Sequence, residues 1–180
     1  FPVPLPFQML FGAILAAMML MSLNRSMSQG VRLVPKELVC GFVFATGCSM
    51  AVGFYSLDKQ TGPLVAMETL MLALLCALNC IAIANYEKAH DACNDPNAIT
   101  RTWPRIARLY PTLLTALILS AVTSLARGLP VEASRYTWCV LASAVLLGLL
   151  HSLSKHLSAE LNHVLADAAL VTPLVMMALP

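Results

Sequence analysis

Residues 64–86 form an apolar run of 23 residues with one charged side chain, Glu68. A helix that crosses a bilayer needs about 20 mostly apolar residues, because each residue adds only about 1.5 Å of rise. A run of this length is too long for a strand and apolar on every face, so a spanning helix is the element it predicts. Similar runs at 5–21, 38–57, 109–126, 136–153 and 161–179 are separated by short polar breaks such as "DKQTGP" and "RGLPVEASR". Their Gly and Pro residues punctuate helices. The expected fold is therefore all-α: one polytopic transmembrane helix bundle of about six spans covering 1–180. Composition agrees, with 59% apolar and 11% charged residues against about 45–50% and 25% in soluble domains.

Cytoplasmic loops of membrane proteins carry the excess of Lys and Arg. Arg25, Arg32, Lys36, Lys88, Arg101, Arg105, Arg108 and Lys155 fall in alternate breaks, whereas the other breaks hold Lys59, Arg127 and Arg135. That alternation predicts an integral, multi-pass membrane protein with both ends outside and the break after residue 86 in the cytoplasm. The net charge of +2 and the lack of aromatics interleaved in a basic stripe argue against nucleic acid as a partner. Membrane lipid is the surroundings this composition implies. The six cysteines form no C-x-x-C pair, so neither zinc nor a disulfide framework is expected. The first apolar run lacks a basic leader and a cleavage site. With Phe1 in place of Met, the chain is expected to be a fragment without its natural N-terminus.

The most informative polar stretch is "NYEKAHDACNDPN", residues 85–97, which spaces Glu87, Asp91 and Asp95 four apart. On a helix those three share one face, continuing inward toward Asn79 and Asn85 and ending at Pro96. Like charges at this spacing repel by a few tenths of a kcal/mol per pair, and acids at a helix C-terminus oppose the dipole. A cation would relieve both penalties. Mg²⁺ takes oxygen ligands and binds through carboxylates plus substrate phosphates, and Arg101, Arg105 and Arg108 follow as phosphate donors. The plainer alternative pairs these acids with Lys88 and the arginines in a solvated loop.

The segment "LCALNCIAIANYEKAHDACNDPNAITR" resembles the second aspartate-rich region of the UbiA superfamily of intramembrane prenyltransferases. Weaker similarity lies in "VPKELVCGFVFATG" and "LNHVLADAALVTPL". The resemblance implies that the six spans are the last six of a nine-helix bundle. It implies Mg²⁺-dependent transfer of a prenyl group from a prenyl diphosphate to a small, lipophilic, often aromatic acceptor. Metal-side ligands would be Glu87, Asp91 and Asp95. Lys88, Arg101 and Arg105 would contact phosphate, and Asn79 would line the substrate cavity. The chain departs from the family pattern in three ways: the first aspartate-rich motif would lie upstream of residue 1, Asn79 stands where an early acid is expected, and Glu87 opens the run in place of Asp.

Two other classes stay open. His156, Glu160, His163 and Asp167 recur at i, i+4, i+7 and i+11, one helix face, and Glu160-x-x-His163 has the spacing of carboxylate-bridged di-metal bundles. That spacing would suit a metal-dependent membrane oxidase or hydrolase, although the second such motif is missing. A plain interfacial turn with Ser158 as N-cap accounts for the same residues. A non-enzymatic membrane protein or transporter portion is the third class, its acidic loop being salt-bridged.

Overall fold

A computed structural model describes residues 35–55, 62–88 and 98–177. Among them every regular element is helical and no strand occurs. In chain order these are α1 (Lys36–Tyr55), α2 (Gly62–Tyr86), α3 (Ile99–Thr102), α4 (Pro104–Arg108), α5 (Tyr110–Ala126), α6 (Val131–Leu153), a 3₁₀ turn (Ser154–His156) and α7 (Ala159–Met177).

Local chemistry sets these limits. Proline is tolerated in a first helical turn, where its missing N–H is not needed, and Pro63, Pro104 and Pro111 lie in the first turns of α2, α4 and α5. Gly128 ends α5 with φ of 74°, the left-handed conformation that glycine adopts without a side-chain penalty. Ser158 caps α7: its Oγ accepts the Leu161 N–H at 3.2 Å. Leu157, just before it, is extended at φ −112° and ψ 154°. His156 is thereby taken off the helix that carries His163 and Asp167. The four-residue face expected over 156–167 is broken at its first member.

The centre of the bundle is α2, which packs against α1, α5, α6 and α7. Its Met71, Leu75, Leu78 and Ile81 meet Tyr110 and Leu114 of α5, Val140 and Leu147 of α6, and Ala166 of α7 in one buried cluster. The closest approach is between α1 and α2. A Cβ placed on Gly41 would stand 2.5 Å from the Ala77 N and 2.7 Å from the Ala73 O, so only glycine lets the two backbones meet. At the other end of α2, the Tyr136 hydroxyl of α6 donates to the Glu68 carbonyl at 2.8 Å.

Outward faces are apolar too. Phe44, Leu119, Leu149 and Val164 are each more than half exposed. A helix that is hydrophobic all round belongs in a large core or a membrane. Among the described residues two helical stretches, Ala66–Tyr86 and Ala133–His156, are long and apolar enough to cross a bilayer, and Tyr110–Ala126 is a shorter apolar helix. The first expected span, residues 5–21, lies outside the described residues.

Candidate functional site

Polar contacts gather at one end of the bundle. Glu37 in the first turn of α1 is 4% exposed, and its Oε1 accepts the Ile99 N–H at 3.2 Å. That amide opens α3, whose cap residue Ala98 supplies no side-chain acceptor, so a carboxylate from another helix satisfies a donor that helix geometry leaves unpaired. Nearby, Asn85 at the end of α2 donates to the Ala107 carbonyl at 3.3 Å. Tyr110 packs its ring 4.9 Å from that of His151. These contacts bring together the starts of α1, α3 and α5 with the ends of α2, α4 and α6. The same end carries Lys36, Lys88, Arg101, Arg105, Arg108 and Lys155, while Arg127 and Arg135 lie at the other.

On α2 and α7 four side chains form a continuous chain of contacts. His163 Nδ1 lies 2.9 Å from Glu87 Oε1, and its Nε2 lies 3.5 Å from Asp167 Oδ2. The other Asp167 oxygen accepts from Asn79 Nδ2 at 3.1 Å. Asn79 is 3% exposed and its Oδ1 has no hydrogen-bond partner. The α7 members are open: the side chains of His163 and Asp167 are 43% and 59% exposed. Thus Asn79 of α2 and Glu87, just past its last residue, meet His163 and Asp167, one turn apart on α7, across the helix interface.

The candidate ligands and phosphate contacts divide as follows. Glu87 and Asn79 enter the chain just described, whereas Asn85 points to α4 and not along the acidic face. Lys88, Arg101, Arg105 and Arg108 are exposed. Asp91 and Asp95 lie outside the described residues, as does Cys93. Cys40, Cys48, Cys76, Cys80 and Cys139 are free thiols. His156 and Glu160 are exposed, and no group of three His, Cys, Asp or Glu among the described residues is placed to hold a metal ion. Glu87 is engaged with a side chain of α7. A metal needs its oxygens converging at about 2.0–2.6 Å, and here Glu87 and Asp167 address different nitrogens of one imidazole.

A cavity of about 210 Å³ lies on the other side of α2, between it, α1 and α5. Its walls are almost wholly apolar, from Met67 to Ile81 on α2, with Leu38 of α1 and Leu113 to Ser120 of α5. The fourteen helical steps from Met67 to Ile81 rise about 21 Å, so the groove is long and narrow. Leu38 follows the latch residue Glu37, and Leu113 lies one turn beyond Leu109, which joins α4 to α5.

Glu37 is the residue that sequence reasoning passed over. The signal was present: Glu37, Gly41 and Ala45 recur every four residues on the face that α1 buries, so an acid shares the stripe of small residues. No known protein family, curated protein or solved structure matches the chain.

Proposed function

We propose that this is a multi-pass membrane protein of the UbiA prenyltransferase kind. It would transfer a prenyl group from a prenyl diphosphate to a small lipophilic acceptor, with the cationic end of its bundle in the cytoplasm. The observation that carries this reading is the apolar groove along α2, which begins beside the α1 latch and the arginine-bearing segment α3–α4. A linear hydrocarbon with an anionic head matches that pairing of walls and charge. Burial of each CH₂ contributes about 0.8 kcal/mol, and guanidinium groups bind phosphate oxygens through paired, charge-assisted hydrogen bonds.

The chemistry asked of this chain is modest. Arg101 and Arg105 would hold the diphosphate and stabilise the negative charge that develops as the allylic C–O bond breaks. The apolar walls would keep water from the resulting cation. Mg²⁺, which such a transfer uses as Lewis acid, would fall to Asp91 and Asp95. The positive-inside rule supports the orientation, since six of the eight described Lys and Arg residues share one end.

One observation favours a second reading, a non-enzymatic membrane protein: the Glu87 carboxylate is already partnered inside the chain. Binding of geranyl diphosphate to the purified protein in detergent, with and without Mg²⁺, separates the two. The enzyme reading expects saturable, Mg²⁺-dependent binding that Arg101→Ala and Arg105→Ala each weaken by about 10- to 100-fold, as loss of a charged hydrogen bond of about 1.5–3 kcal/mol requires. Absence of binding by the unaltered protein favours the structural role.

A further inference from the structure

We infer that Glu87 is a pairing residue that fastens α7 to α2, and not a ligand of a cation. The chain of contacts runs from Glu87 at the end of α2 to His163 and Asp167 of α7 and back to Asn79 of α2, with a different atom used at every step. Two carboxylates on otherwise apolar helices need partners. The imidazole supplies one nitrogen edge to each, and the Asn79 amide takes up the second Asp167 oxygen. The result is a two-rung polar lock, with Asn79–Asp167 as the inner rung and Glu87–His163 as the outer.

Three further observations support this assignment. First, His163 lies between the two acids, so a metal held by both would have to displace the ring from its place in the interface. Second, the apolar groove belongs to the side of α2 away from Asn79 and Glu87. A ligand seated there would not meet this carboxylate. Third, the lock fixes register: a slide of α7 by one turn, about 5.4 Å, would break both rungs together, whereas apolar contacts alone would re-form. Polar side chains between membrane helices are used in this way as glue.

The inference stands or falls separately from the proposed activity, because its test needs no substrate. Thermal unfolding of the purified full chain is compared for the unaltered protein, Glu87→Ala, His163→Ala and the double variant, without divalent ions. Each single variant should lower the unfolding temperature, and the double variant should fall no lower than the worse single one. Glu87→Gln, which keeps an oxygen acceptor for His163, should recover most of the loss. In parallel, Mn²⁺ titration followed by electron paramagnetic resonance should show the same Mn²⁺ response in the Glu87→Ala variant as in the unaltered protein, including no response in either. Two results overturn the inference: additive losses in the two single variants, or loss of Mn²⁺ binding in Glu87→Ala.

Discussion

Asn79 and Asp167, 88 positions apart, are joined by a 3.1 Å hydrogen bond from the side-chain amide to the carboxylate. The asparagine is nearly inaccessible while the aspartate is open on its outer side. A neutral amide is the group that can meet this acid in a buried position without adding charge.

That relationship orders two substitutions. Asn79→Ala removes one interhelical hydrogen bond and should cost about 0.6–2 kcal/mol. Asn79→Asp instead places a second carboxylate in contact with Asp167, and an uncompensated buried charge costs about 3–5 kcal/mol. Unfolding in detergent should rank the native protein above Asn79→Ala, and that above Asn79→Asp. Equal losses in the two variants would contradict the contact.

Glu37 holds α3 from a distance of 62 positions. Glu37→Ala leaves the buried Ile99 N–H without this acceptor, a loss of about 1–3 kcal/mol, and frees the segment carrying Arg101 and Arg105. Trypsin should then cut at those two arginines faster in the variant than in the native protein, while cleavage at Arg127 keeps its rate. An unchanged pattern at all three sites would remove the latch.

Gly41 and Gly47 make an internal comparison on one helix. A methyl group at Gly41 meets the backbone of α2 under 3 Å, and overpacking of that kind costs about 1–3 kcal/mol. Nothing lies within 4 Å of a Cβ at Gly47, so Gly47→Ala should be neutral or stabilise by up to about 1 kcal/mol, the helix preference of Ala over Gly. Thermal melts of the two variants should move in opposite directions or differ by several degrees. Coincident melts would contradict the packing.

Tyr136→Phe tests the far end of α2. It removes the hydroxyl that donates to the Glu68 carbonyl and should cost about 0.5–1.5 kcal/mol, leaving the proposed diphosphate binding untouched because the contact lies at the end of α2 away from the arginines. A change in binding with no change in stability would reverse that assignment.

The sequence carried the helical class clearly and the site only in part. The run at 64–86 admits only a long helix, and Gly128 and Ser158 sit where a turn and a cap need them. The rung between Asn79 and Asp167 was not legible, since it depends on how α7 is rotated against α2, and two apolar helices offer several rotations with similar periodicity. The acidic spacing drew attention to Glu87, and the separate spacing on residues 156–167 drew attention to His163. That these two patterns belong to one cluster is a tertiary fact. His156 dropped out because Leu157 is extended, and a partly buried Leu between two polar residues gives no warning of a chain break in the helix. Glu37 was hidden for the opposite reason: an acid in a first helical turn satisfies the local dipole and needs no further explanation until its burial is known.

The absent side chain at Gly41 has one more consequence. With backbone against backbone, α1 and α2 cannot slide past one another without collision, so they behave mechanically as a single plate. The groove has that plate as one wall and α5 as the other. Any widening of the groove falls to α5, which runs between Leu109 and Gly128 and follows Arg108. Such a movement would shift the neighbouring cationic segment as well, coupling the width of the apolar track to the position of the charges at its end.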